Sequence, residues 1–106
     1  MLDAAQTIRQ LVAGLKVDSY LRDRRTQLAV ERGIEIVGEA ARRISAEFHQ
    51  AHPEIPWSRV IAQRNVIAHE YGEIKQERIW RVATVYVEEL IAKLLPLLPT
   101  VSPEES

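Results

Sequence analysis

The stretch Val30-Glu31-Arg32-Gly33-Ile34-Glu35-Ile36-Val37-Gly38-Glu39-Ala40-Ala41-Arg42-Arg43-Ile44 decides the fold class. Val30, Ile34, Val37, Ala41, Ile44 and, beyond it, Phe48 are spaced 4, 3, 4, 3, 4, which is an apolar seam of heptad period. No segment of the chain alternates apolar and polar residues long enough to argue for a strand. The helix built on this seam is expected to run from about Ser19 or Arg24 to His49. Beside the seam lies a second line, Ala29, Gly33, Ile36 and Ala40, made mostly of small residues. Two adjacent stripes make a face wider than one partner helix needs. Either both pack inside one chain, or the small-residue line lets a second copy approach closely. The pattern alone admits both.

Upstream, Ile8, Leu11, Val12 and Leu15 mark one face of a first helix, which Gly14 weakens near its end. Val17-Asp18-Ser19 reads as a connector, with Asp18 or Ser19 able to cap the next helix. Downstream, the five prolines stand at 53, 56, 96, 99 and 103, so helices are free to form up to 52 and from 57 to 95. Pro56 suits the first turn of a helix whose buried side is Trp57, Val60 and Ile61, and Gly72 suits its end. A last helix from about Lys75 to Leu95 turns Ile79, Ala83, Tyr86, Leu90 and Leu94 inward before Pro96 and Pro99 stop it. The expectation is an all-α, up-and-down bundle of four main helices, with room for a fifth short one. Residues 1–99 form one domain in this reading and residues 100–106 a frayed tail.

Composition narrows the functions. The chain has 106 residues, 46% hydrophobic and 27% charged, the balance of a single globular domain. Its 14 Lys and Arg against 15 Asp and Glu leave a net charge of -1, which excludes a polycationic nucleic-acid coat but not a local basic patch. With no cysteine there is no disulfide framework, thiolate zinc site or cysteine nucleophile. No apolar run approaches a membrane span, and the first residues lack the pattern of a signal peptide. A soluble, cytoplasmic protein is expected.

The segment Arg64-Asn65-Val66-Ile67-Ala68-His69-Glu70-Tyr71 gathers a guanidinium, an amide, an imidazole and a phenol around a helix end. On a regular helix Arg64 and His69 lie about 7.5 Å apart along the axis and about 140° apart around it. Their cooperation therefore needs a distorted turn, a long arginine reach or a second copy of the chain. Arg64 also falls on the buried side, where an unpaired guanidinium is costly, so it needs partners. Such a set suits RNA cleavage without a metal. Histidine takes a proton from a ribose 2′-hydroxyl or gives one to the leaving oxygen, and arginine holds the phosphate and its transition-state charge. Asn65 could orient either group. The plainer alternative is a surface arginine, a histidine favourable to the helix dipole and a packed tyrosine.

Other constellations are weaker. His49 and His52 are three apart, but Pro53 comes next and no close carboxylate completes a metal site. Glu35 with Glu39, and Glu88 with Glu89, read as solvated helix faces, the first pair supported by Arg42 and Arg43. Arg22, Arg24 and Arg25 form the densest basic cluster, a solvated turn or a contact for RNA or an acidic partner. Trp57 and Trp80 read as core. There is no Gly-rich phosphate loop and no stacking platform.

The arginine, adjacent asparagine, four-residue gap, histidine and tyrosine resemble the R-x4-H-x-Y motif of HepT-like proteins, small toxins of the HEPN superfamily. The likeness covers roughly residues 4 to 95 and includes Thr26-Gln27-Leu28-Ala29, Ile36-Val37-Gly38-Glu39-Ala40-Ala41 and His52-Pro53-Glu54-Ile55-Pro56-Trp57. No motif position is lost. The resemblance implies a HEPN-like homodimer whose motif residues meet near the two-fold axis. It implies a toxin–antitoxin pair in which this chain is a metal-independent endoribonuclease, without a cofactor, that leaves a cyclic phosphate. It also implies a nucleotidyltransferase antitoxin that attaches AMP to the motif tyrosine. Carried onto this chain, Arg64 and His69 become the catalytic pair, Asn65 the supporting residue and Tyr71 the adenylylation site. The alternative is a helical dimer, catalytically weak or inert, serving mainly as partner and AMP acceptor of the nucleotidyltransferase.

Overall fold

The computed structural model describes residues 1–69 and 75–97, without the side chains of residues 66, 68 and 69, and every regular element among them is helical. Helix α1 (Leu2–Val12) buries Ala5, Ile8 and Val12. Beyond it Gly14 takes φ +77°, a left-handed turn that glycine adopts without a Cβ clash. The residues expected as a connector instead open a short helix, α2 (Val17–Leu21), which Lys16 precedes without a side-chain cap and which buries Tyr20. The cap falls on Asp23, which starts α3 (Arg24–Arg43). Its carboxylate accepts the Thr26 amide at 3.2 Å and the Thr26 hydroxyl at 2.6 Å.

The long helix does not continue to His49. Ile44 is extended, and the Ser45 hydroxyl accepts the Phe48 amide at 3.1 Å, starting a separate helix, α4 (Ala46–Ala51). A serine that satisfies an orphan amide favours a new N-terminus there, and Arg42 and Arg43 suit the C-terminus just before it. Phe48 thereby leaves the seam. Its ring, 37% exposed, sits 4.4 Å from His52 and 6.0 Å from Trp57. Helix α5 (Trp57–His69) begins after Pro56, whose carbonyl accepts the Val60 amide at 3.0 Å. Trp57 and Ile67 are buried, Val60 and Ile61 half-buried.

The last helix, α6 (residues 76–94), is α-helical over Gln76–Arg81 and Val87–Leu94 with a π turn, Val82–Tyr86, between them. Thr84 donates its hydroxyl to the Trp80 carbonyl at 2.8 Å, the kind of back-bonding that loosens a helical ladder. Ile79, Ala83, Leu90 and Leu94 are buried as expected, but at the wider turn Val82 and Val87 are buried where Tyr86 was expected. Tyr86 is half-buried, its ring under the Arg59 guanidinium at 5.6 Å. A 3₁₀ turn, Leu95–Leu97, contains Pro96. Gly72, Pro99 and the tail 100–106 lie outside the described residues.

α3 is the central helix, packed mainly on α5 and α1, while α1 also meets α6. The seam residues Val30, Ile34, Val37 and Ala41 are buried as expected, and Ile44 is half-buried. Of the small-residue line, Gly33 is used inside the chain: a Cβ there would lie 2.6 Å from Ile8 Cγ1. Ala29 and Ile36 stay exposed and Ala40 half-buried. A polar network ties α2, α3 and α6 together. Tyr20 donates to Gln76 Oε1 at 2.8 Å, Gln76 Nε2 donates to Glu31 at 3.1 Å, and Gln27 Nε2 donates to the Tyr20 carbonyl at 3.0 Å. Burial and the nearby Glu31 charge push the Tyr20 phenol well above its usual range. No helix among the described residues is long and apolar enough to cross a membrane.

The Asp23 cap sets a pH dependence. The Thr26 hydroxyl and amide hold its carboxyl below the usual carboxylate range, so its contribution is present above about pH 4 and lost as pH falls through the lower folded value. Asp23→Ala is expected to lower the Tm by a few degrees at pH 7, with the gap to wild type closing in acid. Thermal unfolding followed by circular dichroism from pH 7 to pH 2 checks this; a gap that does not narrow refutes it.

Candidate active site on the α3–α5 face

Gly38 is where α3 and α5 come together. A Cβ at this position would overlap Arg64 Cβ and Cγ and lie 3.2 Å from the Val60 carbonyl oxygen. The absent side chain lets the arginine stem lie against α3, leaving the Arg64 side chain 26% exposed. Its guanidinium then has partners on both helices. Nη1 donates to Asn65 Oδ1 at 3.0 Å, and Nη2 stands 3.6 Å from Glu39 Oε2. The requirement that a half-buried Arg64 be paired is met within one chain.

Glu39 is more than a solvated face. Its Oε1 accepts from Arg42 at 2.8 Å and faces Arg43 at 3.4 Å, while Oε2 is buried and accepts no hydrogen bond from the described residues. The hydrogen bond from Arg42, together with the charges of Arg42, Arg43 and Arg64, holds this carboxyl below the usual range against the opposing effect of desolvation. Sequence reasoning missed the residue as a site member. Gly38 was the available signal, because a glycine in a helix interior costs about 1 kcal/mol and so marks a close approach.

Arg64 and Glu39 form the floor of an open groove of about 610 Å³. Arg32, Glu35 and Arg43 line it with Ile36, Ala40 and Ile44. Three guanidinium groups against two carboxylates make it locally positive on a chain of net charge -1. Ile36 is 43% exposed here, an apolar patch inside a charged rim.

Of the four residues singled out by sequence, Arg64 and Asn65 are in contact. His69 is the last residue of α5, which is α-helical over Trp57–His69. Tyr71 lies outside the described residues. The other candidates are elsewhere. The ring nitrogen Nε2 of His49 is 2.9 Å from the Ala41 carbonyl and its ring stacks on Trp57 at 4.4 Å. His52 Nδ1 is 3.0 Å from Glu54, so the two histidines face different partners. Among the described residues no group of three or more His, Asp or Glu is placed to hold a metal. Glu88 pairs with Arg9 at 3.8 Å, and Arg24 with Glu31 at 3.4 Å. Trp57 is core; Trp80 is half-buried, its ring tilted against Tyr20 at 5.1 Å.

The family model described as ribonuclease HepT-like matches residues 1–97, a span that contains the whole groove and the motif. The chain belongs to the HepT-like ribonuclease family. It is 31% identical over 91 residues to a "Probable ribonuclease HepT" of Thermococcus cleftensis, covering 86% of this chain and 83% of that one. A "Putative RNase" of Methanocaldococcus jannaschii is 27% identical over 105 residues, 99% of this chain and 87% of its own. Another protein of that name, from Caldanaerobacter subterraneus, is 26% identical over 98 residues, 92% and 88% of the two chains. No solved structure matches the chain at a comparable level.

In this HepT-like chain the α3–α5 contact makes its own prediction. Alanine exceeds glycine in helix propensity by about 1 kcal/mol, but overpacking against Arg64 and the Val60 carbonyl costs about 1–3 kcal/mol. Gly38→Ala is therefore expected to lower stability in a urea titration. A net gain would show that the groove floor yields without strain.

Proposed function

We propose that this HepT-like protein is a metal-independent endoribonuclease, the toxin of a type II toxin–antitoxin pair acting in the cytoplasm. Arg64 and His69 are its catalytic pair and Asn65 the supporting residue. The observation that carries the reading is Arg64 itself: half-buried at the floor of a positive groove, held from two sides, on the helix that ends in His69. Membership of a ribonuclease family supports the substrate class.

In the reaction the 2′-oxygen of a ribose attacks the adjacent phosphorus. His69 accepts the 2′-hydroxyl proton, the 2′-oxygen–phosphorus bond forms, and the phosphorus–5′-oxygen bond breaks. The products are a 2′,3′-cyclic phosphate and a 5′-hydroxyl, the latter taking up a proton. The Arg64 fork carries the growing charge on the phosphoryl oxygens. Because Arg64 and His69 are about 140° apart around a regular α5, a homodimer suits the chemistry: the histidine of one copy serves the arginine of the other, or the protonated histidine of one copy gives its proton to the leaving 5′-oxygen. The exposed Ile36 and half-buried Ala40 beside Arg64 support a second copy docking on this face.

Neutralisation in this reading is by a nucleotidyltransferase antitoxin that transfers AMP from ATP to the Tyr71 hydroxyl, with pyrophosphate leaving. A bulky anion two residues from His69 obstructs a phosphate site by volume and by charge.

The test is RNA cleavage in EDTA by unmodified protein expressed without its partner. Wild type is expected to leave cyclic-phosphate ends, and Arg64→Ala and His69→Ala each to lose about 10²- to 10⁴-fold in rate. No cleavage by a folded, dimeric protein would instead leave a binding partner and AMP acceptor. Tyr71→Phe is expected to cleave as wild type does but to take up no labelled AMP when mixed with the partner and ATP. Continued labelling of that variant would move the modification elsewhere.

A further inference from the structure

Glu39 presents a buried carboxylate oxygen that accepts no hydrogen bond from the described residues and stands 3.6 Å from a guanidinium. A desolvated, unsatisfied carboxylate oxygen is unfavourable unless a nearby charge offsets it, and the charge on this side is Arg64. Oε1 is already engaged by Arg42, with Arg43 beside it, which leaves Oε2 to face Arg64. Gly38, one residue before, lets the Arg64 stem rest on α3 at that level. Asn65 takes Nη1 from the other side. Two anchors on different helices thus set the plane of the fork, while its remaining N–H groups serve an anion in the groove.

We propose that Glu39 is the positioning residue for Arg64, aiming its guanidinium and competing with substrate phosphate for it. This rests on the ribonuclease reading above. The 3.6 Å separation is longer than a hydrogen bond, so the hold from Glu39 is electrostatic and Nη2 can serve an incoming phosphate while Nη1 keeps its bond to Asn65. The carboxylate competes with that phosphate for the Arg64 fork in the ground state. It therefore weakens binding while keeping the arginine aligned for the transition state, and its removal moves binding and turnover in opposite directions.

The experiment uses the full chain as wild type, Glu39→Gln, Arg64→Ala and the double variant. Binding is read by fluorescence anisotropy on an RNA oligonucleotide with 2′-O-methyl riboses, which has no nucleophile, and kcat and KM on the unmodified oligonucleotide. Glu39→Gln is expected to bind the blocked RNA about threefold more tightly. Its kcat is expected to fall about 10- to 100-fold through misalignment. In the Arg64→Ala background the same change is expected to alter the Kd by less than about twofold, since the coupling runs through Arg64. A wild-type kcat and Kd in Glu39→Gln, or tightening that persists without Arg64, would overturn the proposal. Wild type that fails to cleave refutes the ribonuclease reading separately, and the blocked RNA still decides for or against the Glu39–Arg64 coupling. Should Glu39→Gln unfold by circular dichroism, Glu39→Asp replaces it. That variant keeps the charge but withdraws it by one methylene, so kcat is expected to fall without tighter binding, and an unchanged kcat counts against the proposal.

Discussion

The contact between Gly38 and the stem of Arg64 joins packing to charge. α3 and α5 approach at this point closely enough that a single methyl group would overlap the arginine. The approach presses a guanidinium stem against a helix surface and so takes much of it out of water. An arginine in that position needs compensation, and Glu39 and Asn65 supply it from the two helices. Core packing thereby dictates the electrostatics. The buried seam of α3 fixes which face meets α5, that face places Gly38 under Arg64, and the next residue along is the acidic partner.

The facing ends of α5 and α6 are anchored by ordinary structural means. At the α5 end, Ile67 is buried two residues before His69. At the α6 end, Gln76 accepts from the fully buried Tyr20 and donates to Glu31. These polar groups satisfy one another, which turns a potential liability into a fixed register between α2, α3 and the start of α6. Removing one member leaves its partner buried and unpaired, so such a network specifies geometry more strongly than an apolar contact of the same size.

The α3 seam and the prolines made the helical class legible, and the motif made Arg64, Asn65, His69 and Tyr71 stand out. Three features were not legible for separable reasons. The break at Ser45 lay inside an unbroken apolar period, because period counting does not weigh a local cap against helix continuation. The π turn comes with Thr84 bonding back to Trp80, a choice between hydrogen bonds that composition does not reveal. Glu39 looked solvated because its neighbours Arg42 and Arg43 explain a carboxylate within one helix. Its link to Arg64 spans 25 positions of sequence and exists only after α3 and α5 pack. Tertiary contacts of this kind override what a helical face suggests by itself.

The overall charge of -1 at first argues against an RNA partner, but a ligand in the groove meets the groove's own charges. There Arg32, Arg43 and Arg64 outnumber Glu35 and Glu39. A field of this size suits a site that meets a few phosphates and releases them, rather than a coat that neutralises a long strand. The carboxylates also have a rationale beyond balance. Uniformly tight binding of a polyanion lowers the ground state as much as the transition state and does not speed cleavage. A glutamate that weakens the ground-state complex while aligning the arginine moves binding energy toward the step in which phosphoryl charge grows. Under the proposed ribonuclease function, a half-buried arginine with its own acidic partner is a better catalyst than a free one.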